Sequence, residues 1–338
     1  MTAKVTIPAL LQMKRDGRKS VGVVAWDYQI ARIADRAGVD IVSVGDSVGV
    51  NLWGHSNPLE VTMDEMLVVC KAVRRGVTRA LVSCDFPYGP LQEGCESAVR
   101  AAIRLVKEGG ADMVKLDGAA DFPETVRALT RAGIPVFAQF GITPQTALRY
   151  GIPYGAQSAP GAQAPPEMTA KLVEEAKLLE DAGAALIDFT NSGPVAGAAV
   201  VRAVAIPVLG GFGGGPWLDG RMRMAHTAIG YGEKWIDAKT ETYANVAKIS
   251  LDAFSALIAS CAPAVRSGVD RPRGLEPTYA ASNAANAAFA MMTSCSILAP
   301  PAATAPTTSP ATVIGKPPGT LVKSPMRTAM LNAFSSGA

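Results

Sequence analysis

The chain has 338 residues, 49% hydrophobic and 18% charged, with a formal net charge of +3. That is ample material for one core of barrel size, roughly 250 residues. Charges of both signs are interspersed, which argues against nucleic acid as a partner, and no apolar run approaches the ~20 residues of a membrane span. The start, Met1-Thr2-Ala3-Lys4, lacks the apolar stretch of a signal peptide. Five cysteines (Cys70, Cys84, Cys95, Cys261 and Cys295) form no CxxC pair, which points to a reducing cytoplasm. With only His55 and His226 besides, a zinc site is not expected.

Residues 7–16 read as a short helix, with Leu10, Leu11 and Met13 apolar, ended at Gly17. Val21–Ala25 is a strand, and 28–37 a helix with Ile30, Ile33 and Ala34 on one face, stopped by Gly38. The β-branched run Val39–Val44 is the next strand, followed by a polar loop, 51–62, containing Gly54-His55. Helix 63–75 carries Met63, Met66, Leu67, Cys70 and Val73 at helical spacing. Strand 80–84, helix 93–108, strand 112–116, helix 121–132 and strand 134–138 follow, the last delivering Gln139. Residues 141–166 form a long loop rich in Gly, Pro, Ala and Gln, a length that is often functional. Helix 167–182, strand 184–190, helix 195–203 and strand 206–209 lead to the glycine run 210–215, which either cradles an anion or is a turn. Residues 218–230 and 242–266 read as helical, with His226 on the first of these as a structural residue among Met222, Met224 and Ile229. Trp53 and Trp217 are loop aromatics that either cover a ligand or pack.

Strand and helix alternate throughout, and the strands are continuous apolar runs, as when both faces are covered. This is the pattern of a (β/α)8 TIM barrel over residues 1–274, with a doubly wound open sheet as competitor. Residues 275–338 are rich in Ala, Pro, Ser and Thr with little charge, and read as a mostly disordered tail with one possible helix at 280–292.

Three successive strands run into a carboxylate: Asp46, Asp85 and Asp117, with Ser47 after the first and Lys115 beside the third. A charge at the lip of a core needs a partner. Hard oxygen ligands of this kind suit Mg²⁺, and the lysine beside them suits an anionic substrate. Each also has a plainer explanation, as a helix N-cap, an Asp-Gly turn or a lysine extending to solvent.

Taken together, Ala25-Trp26-Asp27-Tyr28, Val44-Gly45-Asp46-Ser47-Val48-Gly49, Gly54-His55, Ala72-Val73-Arg74-Arg75-Gly76, Asp85-Phe86-Pro87, Met113-Val114-Lys115-Leu116-Asp117-Gly118, Gly141-Ile142-Thr143-Pro144-Gln145, Ile206-Pro207-Val208 and Asp219-Gly220 are specific. Over roughly residues 7–272 the chain resembles the ketopantoate hydroxymethyltransferase family of the phosphoenolpyruvate mutase/isocitrate lyase superfamily. The resemblance implies a (β/α)8 barrel whose last helix is exchanged between protomers of a homo-oligomer. It implies a Mg²⁺-dependent reaction through a metal-bound enolate, in which a hydroxymethyl group passes from 5,10-methylenetetrahydrofolate to the 2-oxo acid 3-methyl-2-oxobutanoate. It implies Asp46 and Asp85 as metal ligands that also meet the substrate, Asp117 in place of a glutamate near the metal, Ser47 at the substrate carboxylate and Lys115 as a further substrate contact. Asn191 stands where the family has its glutamate base and Gln139 where it has a histidine, so by position these two, with Lys115, are the candidate catalytic residues. Asp188, three positions before Asn191, is expected by strand parity on the opposite face. The amides leave two further readings open: a C–C lyase or hydrolase on a related 2-oxo acid, or a non-catalytic protein that binds an oxo acid or serves in an assembly.

Overall fold

The computed structural model describes residues 3–152, 163–211, 214–238 and 243–261. Among them, eight parallel strands close into a barrel in chain order: β1 (Ser20–Val24), β2 (Ile41–Val44), β3 (Leu81–Asp85), β4 (Met113–Leu116), β5 (Val136–Gly141), β6 (Leu186–Thr190), β7 (Val208–Gly210) and β8 (Gly220–Met224). The helices are α1 (Ile7–Arg15), α2 (Tyr28–Ala37), α3 (Val48–Leu52), α4 (Met63–Gly76), α5 (Cys95–Lys107), α6 (Pro123–Arg131), α7 (Thr169–Asp181), α8 (Pro194–Ala203), α9 (Ala225–Ile229) and α10 (Val246–Cys261). The open-sheet alternative falls, because β8 pairs with β1 over five register positions.

Local signals set the element ends. Asp27 caps α2 by accepting from the Ile30 N–H at 2.9 Å, and Gly38 ends it in the left-handed region. Thr62 and Glu65 form a reciprocal capping box at the start of α4. The apolar stripe of α4, including Met66, Leu67, Cys70 and Val73, is buried against the barrel wall.

The barrel interior is filled at its amino-terminal end. Ile41, Leu81, Met113, Phe137, Leu186, Leu209 and Met222 point inward from their strands, and Val5, Leu10 and Met13 close the bottom. Gly22 makes room in this layer, since a Cβ there would lie 2.0 Å from the Met222 sulfur. Full burial of each large side chain contributes on the order of 1.5–3 kcal/mol.

One sequence expectation is corrected here. Residues 218–230 are not one helix: β8 occupies 220–224 and only 225–229 are helical. Gly-Arg-Met-Arg-Met alternates exposed Arg221 and Arg223 with the inward Met222, a period of two that is hidden beside a helical continuation. Met222 and Met224 therefore lie on a strand, and His226 follows it. Most of the long loop (153–162), the tail and the proposed helix 280–292 lie outside the described residues, as do residues 212–213 of the glycine run. Among the described residues no helix is long and apolar enough to cross a membrane.

Candidate active site

The carboxyl ends of the strands surround a cavity of about 540 Å³. Asp46, Ser47, Asp85, Lys115, Gln139, Asp188 and Thr190 all line it. A filled floor and an open, polar mouth are the arrangement expected of a barrel whose chemistry sits at its carboxyl face.

Asp46 leaves β2 through a tight loop. A Cβ on Gly45 would stand 2.8 Å from the Ser47 hydroxyl and 2.9 Å from Val24, so only glycine fits there. The Trp26 indole N–H donates to the Gly45 carbonyl at 3.1 Å and fixes the loop from β1. Asp46 accepts from the Gln145 amide at 2.9 Å. Burial, with Asp85 nearby, pushes its carboxyl up to about 8. Ser47 starts α3 without a side-chain capping bond.

Asp85 ends β3, in register with Lys115 on β4. Burial raises its carboxyl, opposed by the Lys115 ammonium at 3.2 Å. Neither Asp46 nor Asp85 shows a helix-capping bond, so that plainer explanation does not hold for them. Asp117 is held differently. The Thr143 hydroxyl donates to one of its oxygens and the Gln145 backbone N–H to the other at 3.2 Å. Burial still pushes it up to about 6. It does not line the cavity but stands one step behind Asp46, both being tied to Gln145.

Lys115 lies between two carboxylates, Asp85 and Asp188, at 3.2 Å from each. Burial works against its charge, but the surrounding carboxylates hold its ammonium above the usual lysine range. Asp188 is thus inside the barrel, not on the opposite face. The parity count from Asn191 fails because Asn191 is not on the strand's alternation. Its φ is +55°, and it is the one non-glycine residue in the left-handed region among those described. Its side-chain N–H2 donates to the Ile142 carbonyl at 3.2 Å, and its Oδ1 is buried without a hydrogen-bond partner. Asn191 does not line the cavity, whereas Gln139 does, donating to the Thr190 hydroxyl at 2.9 Å.

His226 also lines the cavity. Its ring lies 4.7 Å from that of Trp26, and burial lowers its imidazole to about 4, so it is neutral at physiological pH. Arg221, Arg223 and Lys234 add positive charge to the rim. Arg221 and Arg223 were not singled out from sequence because the strand that carries them, β8, reads there as helix, and His226 was read as structural. Trp217 donates to the Ser192 hydroxyl at 3.0 Å and packs beneath the rim. Gly211, the described start of the glycine run, directs its N–H at Asp188 at 3.3 Å.

Among the described residues no three His, Cys, Asp or Glu side chains are arranged to enclose a metal ion by themselves. The donor chemistry nevertheless fits Mg²⁺, which is commonly held by one or two carboxylates, with water and substrate oxygens completing the shell. Two buried carboxylates, Asp46 and Asp85, face one cavity, and burial raises both, so a nearby positive charge would favour their ionised forms.

A closed parallel barrel with buried carboxylates and a lysine at its carboxyl mouth is the architecture of an enzyme. A sequence profile described as ketopantoate hydroxymethyltransferase matches residues 4–264, and the chain belongs to that family. Among similar proteins is the 3-methyl-2-oxobutanoate hydroxymethyltransferase of Cyanothece sp. (strain PCC 7425 / ATCC 29141), 41% identical over 253 residues, 74% of this chain and 93% of the relative. The protein of the same description from Trichlorobacter lovleyi is 37% identical, covering 75% and 92%. Of solved structures, 2,3-dimethylmalate lyase, a PEP mutase/isocitrate lyase superfamily member, matches with TM-score 0.51 at 14% identity over 79% of this chain and 91% of its own. That likeness bears on the fold.

Proposed function

We propose that the protein is a Mg²⁺-dependent enzyme acting on a 2-oxo acid through its enolate, transferring a hydroxymethyl group from 5,10-methylenetetrahydrofolate to 3-methyl-2-oxobutanoate. The carrying observation is the set of buried carboxylates about Lys115 at the mouth of the barrel. Membership of the family supports a hydroxymethyl transfer, and relatives described as 3-methyl-2-oxobutanoate hydroxymethyltransferases support the oxo acid as acceptor.

Asp46 and Asp85 would hold the cation, with Asp117 bracing Asp46 through Gln145. Bound there, the cation polarises the ketone and stabilises charge on its oxygen. Ser47 and Lys115 receive the substrate carboxylate. Gln139 presents a neutral amide to the middle of the substrate, and Asn191 stiffens the rim behind it. The assignment is tested by proton NMR of 3-methyl-2-oxobutanoate with enzyme, Mg²⁺ and 5,10-methylenetetrahydrofolate. A hydroxymethylated product should form and should require both additions; no product with all components present would sink the reading. Asp46→Asn should abolish the thermal stabilisation that Mg²⁺ gives the native protein.

The amides at 139 and 191 favour one second reading, a C–C lyase or hydrolase on a related 2-oxo acid. It requires turnover of such an acid without folate.

The remaining proposals are a cytoplasmic location and a homo-oligomer. The oligomer is supported by α10, where Ile249, Phe254 and Ile258 are each more than 60% exposed. An apolar helix of this kind fits exchange with a second copy of the chain.

A further inference from the structure

Forming an enolate removes a proton from the carbon beside the ketone, so the cavity must hold an acceptor. That acceptor needs a free lone pair, must reach the open volume, and cannot also serve the cation. Asp46 and Asp85 are the cation pair. Lys115 is a cation bound on two sides. Gln139 and Asn191 are amides, which do not take protons near neutrality, and Asn191 lies outside the cavity lining. His226 lies against Trp26, with its Nδ1 buried and its Nε2 facing Thr227.

Asp188 meets every condition. It lines the cavity from β6, in register with Gln139 on β5. One oxygen receives Lys115 at 3.2 Å and the other the Gly211 N–H at 3.3 Å. Those contacts fix the carboxylate while leaving lone pairs on both oxygens. Lys115 spans Asp85 and Asp188, so both carboxylates border the space in which a substrate held at Lys115 would lie.

We propose that Asp188 is the catalytic proton acceptor of this chain, an inference that rests on the enolate reading above. The C–H bond at C3 breaks and an O–H bond forms on Asp188. The C–H electron pair becomes the C2=C3 bond, and the carbonyl π pair moves to the ketone oxygen as the enolate forms. Reversal returns the proton, or a deuteron in D₂O, to the same carbon. Lys115 then has a second task, positioning Asp188 and releasing part of its hold as the carboxyl becomes neutral.

The experiment follows loss of the C3 proton signal of 3-methyl-2-oxobutanoate in D₂O with Mg²⁺ and the full-length protein, without folate. Binding of the same oxo acid is measured beside it by calorimetry. The native protein should exchange. Asp188→Asn should slow exchange by about 100-fold or more with affinity preserved. Exchange at the native rate in that variant overturns the proposal and leaves the enolate reading standing. Loss of affinity together with exchange overturns it too, since Asp188 would then only hold Lys115 for binding. An inert native protein that binds Mg²⁺ overturns the enolate reading, and this inference with it. If Asp188→Asn does not fold, Asp188→Ser carries the same two measurements.

Discussion

At Asp35 a single carboxylate accepts the backbone N–H of Thr78, Arg79 and Ala80 and the Thr78 hydroxyl, at 2.7 to 3.2 Å. Burial pushes its carboxyl up, but the Ala80 and Thr78 hydrogen bonds outweigh that and hold it below the usual range. A lowered folded value means stability that is present above the unfolded value and lost as the pH falls through the folded one. Asp35→Asn should therefore cost about 1–3 kcal/mol at neutral pH, with the gap to the native protein closing below about pH 4. Urea titrations at several pH values measure both. Lys115→Met makes the opposite kind of lesion. It leaves Asp85 and Asp188 buried without their shared cation, an uncompensated charge worth roughly 3–5 kcal/mol, read by the urea midpoint at pH 8. Of the residues that line the cavity, the sequence drew attention to Asp46, Ser47, Asp85 and Gln139 because each stands at or just beyond the end of an apolar run, and to Lys115 because it is a charge inside one. Asp188 was hidden because the backbone turns at Asn191, and no residue pattern announces a positive φ at an asparagine.

The elements themselves were mostly legible, since strands β1 to β7 are predominantly apolar with no more than two polar residues each, and α2 and α4 carry their own caps. β8 was not, because two of its five residues are arginines and its pairing with β1 is set by barrel closure, a long-range fact. Close packing between elements was equally invisible. At Gly76 a Cβ would stand 2.6 Å from the Tyr28 carbonyl and 3.0 Å from the Arg32 nitrogen, so α2 and α4 touch through bare backbone. Gly76→Ala should force these helices apart and lower stability by about 1–3 kcal/mol. Thermal unfolding monitored by circular dichroism checks this.

At the scale of the molecule, α10 carries apolar side chains outward, with Ile249 64% and Phe254 64% exposed. Replacing both with glutamate should shift the protein to smaller species in size-exclusion chromatography with light scattering, while the barrel stays folded. The filled floor has a different consequence. Leu10 and Met13 stopper one end of the barrel, and Phe137 and Leu186 block the shaft above them. Among the described residues, access to the cavity therefore runs through the mouth and not through the floor. For a reaction that joins two molecules, whichever enters first lies beneath the other and cannot depart until its companion has gone. Under the function proposed above, turnover would be a queue: an oxo acid held at Asp46 and Asp85 would go in first, and what it becomes would come out last.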